Sequence, residues 1–180
     1  NTVKENDTII HITKELPKNL KSILNVSVIK DRRLNSSCNH TSTHLLHQAL
    51  RHVLGTHVQQ KGSMVSDKYL RFDFSHFEKL SDDQIKEVQN FVNQKINDHL
   101  DLEENRSADF DECINNGVIA LFGEKYGDKV RSVKFGNSFE LCGGTHVKNT
   151  SVINNFIIKS ESAISTGIRR IEAISGVVAK

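Results

Sequence analysis

The tightest constraint on the fold comes from two short motifs roughly a hundred residues apart, His40-Thr41-Ser42-Thr43-His44 and Cys142-Gly143-Gly144-Thr145-His146. Each offers two nitrogen or sulfur donors at a spacing of four. On a helix that spacing puts both imidazoles of the first motif on one face, one turn apart. In the second, consecutive glycines permit a tight turn that folds a thiolate and an imidazole toward each other. If one ion takes all four donors, the chain must close a loop onto a helix across most of its length. Borderline-soft N and S donors favour zinc over calcium or magnesium, which prefer oxygen. With nine histidines present, a lone pair at spacing four carries little weight. The Cys142/His146 pair after a strand-like run is what makes a zinc site the expectation.

Bulk properties narrow the remaining classes. The 180 residues suffice for one domain with a real core, or a domain plus part of its neighbour. A net charge of +2, from 24 basic and 22 acidic residues, supplies no strong overall field, so any RNA contact has to come from a local patch. No apolar run approaches a membrane span, and a cytoplasmic protein without a membrane partner is expected. Cys38, Cys113 and Cys142 are an odd number at irregular spacings, which fits a reducing compartment better than a disulfide framework. The opening on Asn1 fits a piece of a longer protein.

Along the chain, Asp7 to Ile12 and Val26 to Ile29 read as strands, with Pro17-Lys18-Asn19 as turn material. Residues 1–35 are therefore expected to be the end of a small β subdomain, with Asp31-Arg32-Arg33 leading into a main domain over 36–180. Asn39 as N-cap and Gly55 as C′ residue bracket a helix from about His40 to Leu54. Its Leu45, Leu46, Ala49, Leu50 and Val53 make a core face, and His40, His44, His47 and Arg51 fall on nearly the opposite side. His47 reads as a rim residue rather than a further ligand, and His52 and His57 as ordinary. Tyr69 to Phe74 alternates as a half-buried strand, and Ser81 to Gln84 is a capping box for an amphipathic helix through Ile96. Ser107 is expected to cap a short helix through Ile114, followed by a buried turn over 118–122 and a glycine-rich loop over 123–127. Its Lys125 and Lys129 read as solvated. Strands follow at 130–135, 138–142, 156–160 and 167–174. The class is α+β, with a mixed or antiparallel sheet packed with helices.

Six runs in order, His40 to His47, His57 to Ser63, Leu70 to Phe74, Ala120 to Tyr126, Leu141 to His146 and Gly167 to Ala173, resemble the editing domain of alanyl-tRNA synthetases. Related folds occur in freestanding alanyl-tRNA editing proteins and in the threonyl-tRNA synthetase editing domain. The resemblance spans about Ser36 to the C-terminus, and Leu121 to Tyr126 looks more like a full synthetase than a freestanding protein. It implies hydrolysis of the ester joining serine or glycine to the 3′ end of tRNA(Ala), with the activating and tRNA-recognition domains lying elsewhere. Such proofreading has a physical reason: an alanine pocket rejects a smaller residue, or one bearing an added hydroxyl, by little more than a methyl group's worth of binding.

By the same resemblance His40, His44, Cys142 and His146 match zinc ligands, Thr43 a pocket position that could contact the serine hydroxyl, and Gln60 a residue orienting the ester or a water. The alternative for Thr43 is helix packing, and for Gln60 a loop amide bonding locally. Arg71, Arg169 and Arg170 are the expected phosphate contacts, because arginine offers a bidentate fork; Asp73 and Glu172 are equally good salt partners for them. Four protein ligands saturate tetrahedral zinc, the mark of a structural site, so zinc that orients the substrate while a positioned water attacks is preferred to zinc hydroxide. Three functions stay open: a tRNA-ester hydrolase, a noncatalytic RNA-binding module clipped by zinc, and a metallohydrolase without RNA.

Overall fold

Whether the two motifs meet depends on how the intervening chain is folded. The computed structural model describes every residue except Asn1, Asp7, 122–124, Val177, Val178 and Lys180. Its elements are β1 (Thr2–Glu5), β2 (Thr8–His11), α1 (Lys30–Leu54), β3 (Gln60–Val65), β4 (Leu70–Ser75), α2 (Asp82–Asn97), β5 (Glu103–Asp109), α3 (Phe110–Asn115), β6 (Lys129–Phe135), β7 (Ser138–Leu141), a 3-10 turn (Thr150–Ile153), β8 (Phe156–Ser165) and β9 (Ile168–Ser175). The strands form a β1-β2 hairpin, a four-stranded sheet β3-β4-β9-β8 and a three-stranded sheet β5-β6-β7. Their pairings are antiparallel, with one isolated parallel bridge between Ile119 and Glu140. This is the expected α+β class.

Helix α1 is the axis of the molecule, and it is longer than its capping signals predict. It starts at Lys30 after Ile29, which makes no side-chain cap bond. At 25 residues it spans about 37 Å. Asn39 is not its cap but a buried residue in its interior, and position 35 lies inside it. Asparagine favours caps because its side chain competes for backbone groups. Here it does so with distant backbone: Nδ2 donates to the Ser66 carbonyl at 2.9 Å, and Oδ1 accepts from the Ser175 N–H and hydroxyl at 3.1 and 2.8 Å. Asn39 thus fastens the helix to the end of β9 and to the turn before β4. The carboxyl end is as expected: Gly55, at φ 115°, donates its N–H to the Arg51 carbonyl.

Burial extends around most of the middle of α1. Leu45, Leu46, Ala49 and Leu50 pack with Val88, Val92 and Ile96 of α2 and with Phe72, Phe74, Phe156 and Ile171 of the large sheet. The opposite side, Thr41, His44 and His47, is buried too, because the smaller sheet covers it. The Ser138 hydroxyl at the head of β7 bonds the His44 carbonyl. A second small core of Ala108, Cys113, Val118, Val130 and Leu141 holds α3 against that sheet.

Two local expectations change. Residues 26–29 are exposed and in no strand; the N-terminal hairpin pairs Thr2–Glu5 with Thr8–His11 instead. Ser107 lies in β5, and the short helix begins three residues later at Phe110, capped by Asp109, whose carboxylate accepts from the Glu112 N–H. The capping box at Ser81 forms as expected, β8 runs on to Ser165, and no helix among the described residues is long and apolar enough to cross a membrane.

Candidate metal centre

The two motifs meet where α1 passes the end of β7. His40 and His44 stand one turn apart on α1, and Cys142 and His146 come from the loop that leaves the strand. One donor atom from each lies within 4.8 Å of every other. His40 Nε2 is 3.5 Å from the Cys142 sulfur, and His146 Nε2 is 3.3 Å from it. Zinc bound tetrahedrally, with Zn–S about 2.3 Å and Zn–N about 2.0 Å, sets nitrogen and sulfur about 3.5 Å apart. The Cys142 sulfur thus already stands from both the His40 and His146 nitrogens at the separation that a shared ion requires.

Neither glycine of the turn takes the positive φ that glycine permits; what requires glycine is close approach, and at one position only. A Cβ on Gly144 would run into the His40 imidazole, whereas Gly143 has open space. The backbone at Gly144 passes against that ring, and only a residue without a side chain fits. Arg131 of β6 holds the turn from behind: one terminal nitrogen donates to the carbonyls of Cys142 and Gly144 at 2.9 and 2.6 Å, and its Nε and other terminal nitrogen grip Glu104.

Each ring is oriented by a further contact. His146 Nδ1 bonds the Thr41 hydroxyl at 3.1 Å, and that oxygen also accepts the Val147 N–H. The His40 ring stacks on that of His146, with centroids 4.3 Å apart. His44 Nε2 faces Glu140 at 3.7 Å, while its Nδ1 is buried with no hydrogen-bond partner. An unpaired buried nitrogen costs about 1–3 kcal/mol, and an ion would complete its bonding. This orphaned atom, together with the donor spacing, shows that the four residues fit a metal. Glu140 itself, 4% exposed, also accepts from His47 Nδ1 at 3.0 Å. His47 is therefore not a rim residue: it is buried and joined to a ligand through one shared carboxylate.

The electrostatics keep the donors available. Burial, helped by the neighbouring His44, lowers His40 to about 4. Burial also lowers His44 and His146, so these imidazoles are neutral and carry lone pairs near pH 7. Burial pushes the Cys142 thiol up, and a coordinating cation reverses that, since a metal-bound thiol is deprotonated. Burial would raise Glu140 as well, but the attraction of His44, which acts when that ring takes up its proton, and the hydrogen bond from His47 outweigh it and shift the carboxyl down.

The other sequence-derived residues are more scattered. Thr43 is buried and donates to the Asn39 carbonyl one turn back, a bond that serves helix packing. Gln60 opens β3 and lines a cavity of about 250 Å³ with His47, Arg51, Gln59 and residues 119–121. Its amide donates to Ser63 at 3.3 Å, a local bond. Arg170 forks onto Asp73 at 2.7 and 2.9 Å. Arg169 forks onto Glu161 rather than Glu172. Arg71 lies 3.9 Å from Asp73, with its Nε buried and unbonded. All three arginines thus face carboxylates on the large sheet. Leu121, Lys125 and Tyr126 belong to the described residues, whereas Phe122, Gly123 and Glu124 lie outside them. Thr41, Glu140 and Arg131 are the residues that sequence reasoning missed.

Comparison with known proteins finds similarities that agree with one another. Residues 130–172 match the family described as the threonyl and alanyl tRNA synthetase second additional domain. The chain is 59% identical over 178 residues to the alanine–tRNA ligase of Christiangramia forsetii, covering 99% of this chain and 20% of that protein. It is 54% identical over 179 residues to the ligase of Flavobacterium psychrophilum, with the same coverage, and 50% identical over 182 residues to that of Cytophaga hutchinsonii, covering 100% of this chain and 21% of the relative. The chain therefore spans about a fifth of the length of the curated relatives it matches.

Proposed function

We propose, from its similarity to about a fifth of the length of alanine–tRNA ligases and from the match of residues 130–172 to the second additional domain, that this chain is a proofreading module that hydrolyses the ester of serine or glycine on tRNA(Ala). The observation that carries the reading is the closed set of His40, His44, Cys142 and His146 in a chain of that kinship. The four residues would hold zinc, which supplies positive charge to polarise or orient the substrate. Because four protein donors fill a tetrahedral shell, the reading gives the attack to a water held by polar side chains.

In this mechanism the chain's own residues select and position. Thr43, although it donates to Asn39, keeps its acceptor lone pairs, and a serine hydroxyl that donates to one of them is recognised where alanine leaves the oxygen unpaired. Gln60, on the cavity it shares with His47, orients the ester carbonyl or the water through its amide. Arg131 keeps the Cys142–Gly144 turn closed, and Thr41 and Glu140 hold the ligand rings. Cys142 serves as a ligand and not as a nucleophile, since a bound thiolate is not free to attack.

The four-donor shell also favours a second reading, a zinc-clipped RNA-binding module without turnover. The test is single-turnover release of labelled amino acid from Ser-tRNA(Ala) and Ala-tRNA(Ala). Preferential release of serine supports hydrolysis, and binding of both without release gives the second reading. Gln60→Ala that remains active and selective would remove Gln60 from the mechanism.

A further inference from the structure

The approach to the four donors is a basic groove on the loop side of the centre. A depression of about 500 Å³ opens against Gly143, Gly144, Thr145 and His146. Arg33, Arg106, Arg131 and Lys148 border it, against a single carboxylate, Glu104. Four cations against one anion give this one groove more positive charge than the whole chain's net +2. It is the local patch that the near-neutral composition requires if the chain meets a polyanion.

The cations are not equivalent. Arg131 is spent on Glu104 and the loop carbonyls, so it builds the wall. Arg106 shares Glu104 through two of its nitrogens. Arg33 and Lys148 are exposed, and among the described residues neither side chain has a hydrogen-bond or ion-pair partner. They also border adjoining depressions: Arg33 reaches two of these and Lys148 one, so positive charge follows a path and not a point. The uncapped, electropositive start of α1 at Lys30 borders the adjoining depression that Arg33 and Lys148 share.

We propose that this groove seats the phosphodiester backbone of the RNA's 3′ strand, with Arg33 and Lys148 each taking a phosphate and leading the terminal nucleotide to His146 and Gly144. The assignment rests on the proofreading reading for the identity of the RNA. It is separate from the arginines expected to meet phosphate, Arg71, Arg169 and Arg170, of which Arg169 and Arg170 are forked onto Glu161 and Asp73. Phosphate contacts position a strand without reading its sequence, and each one releases counterions.

The test is fluorescence anisotropy of the chain with an acceptor-stem RNA hairpin, titrated across salt concentrations. It compares wild type with the double variant Arg33→Ala/Lys148→Ala and the charge-keeping Arg33→Lys/Lys148→Arg. Two lost phosphate contacts lower the slope of log K against log salt by about 1.5 and weaken binding at low salt by roughly tenfold or more. The charge-keeping variant recovers most of both, and metal content and thermal midpoint stay at wild-type values. Equal slope and affinity in wild type and the alanine variant would overturn the proposal. So would competition by inorganic phosphate that displaces the RNA completely at millimolar concentration, which marks an isolated anion site. Serine release by the wild-type chain, measured in parallel, separates the claims: a changed slope without release keeps the groove and removes the hydrolytic reading.

Discussion

Replacing Glu140 with glutamine isolates the carboxylate that two histidines share. The side chain is 4% exposed, with one oxygen 3.0 Å from His47 Nδ1 and the other 3.7 Å from His44 Nε2. If the unpartnered His44 Nδ1 is the nitrogen that binds the ion, then Nε2 carries the proton and needs an acceptor. Glutamine has one acceptor oxygen and one NH2 group, so whichever histidine it serves, the other faces a donor. The loss is one charge-assisted contact, about 1.5–3 kcal/mol, and carboxylates that support a ligating imidazole are worth 10–100-fold in metal affinity. The two estimates agree, since tenfold is about 1.4 kcal/mol. Zinc affinity of Glu140→Gln, measured by competition with a chromophoric chelator, is expected to fall 10–100-fold. Denaturant unfolding of the metal-free proteins, run alongside, separates loss of the ion from loss of the fold. Wild-type affinity in the variant would refute the idea that Glu140 orients His44.

Three further outcomes follow from the geometry. Gly144→Ala places a methyl group in the His40 ring, so the metal-binding stoichiometry is expected to fall well below one while far-ultraviolet circular dichroism stays native. Asn39→Ala removes two buried bonds and one half-buried one and leaves the Ser66 carbonyl and Ser175 N–H unpaired, so unfolding free energy should drop by roughly 2–4 kcal/mol in a denaturant titration. The metal-free chain should lose stability as pH falls from about 6.5 toward about 4. In that window the unfolded His40 takes up a proton that the folded one, held low by burial, refuses, so the unfolded state binds more protons and acid favours it. Burial lowers His44 and His146 in the same direction. Unfolding midpoints at a series of pH values check the sign, and His40→Gln should flatten the slope.

The convergence of the four donors was legible because it rests on short-range spacing: two donors one helical turn apart, and two across a glycine turn. The residues that orient those donors were not. Glu140 reads as one more charge in a strand, and only the register of β6 with β7 and the position of α1 turn it inward toward His44 and His47. Arg131 likewise becomes a clamp only once the Cys142 loop folds back beside β6. Asn39 misled because a good capping residue is equally good at binding any nearby backbone, and the tertiary fold brought Ser66 and Ser175 to it. The arginines show the same dependence on register: Asp73 stands directly across from Arg170 on paired strands, and Arg169 finds Glu161 on the other neighbour. Composition and pattern specify the elements and their apolar faces, whereas partnerships between strands need the assembled sheet.

The central claim is that the four donors hold one zinc ion and that this centre removes serine from tRNA(Ala). Its most direct test is stepwise zinc titration of the metal-free chain with Ser-tRNA(Ala) present, following released serine and bound metal together, in wild type and in Cys142→Ala. Serine release that rises with zinc and levels off at one ion per chain, with both signals lost in Cys142→Ala, is the expected result. Full release by the metal-free chain, or stoichiometric zinc retained by Cys142→Ala, would contradict it.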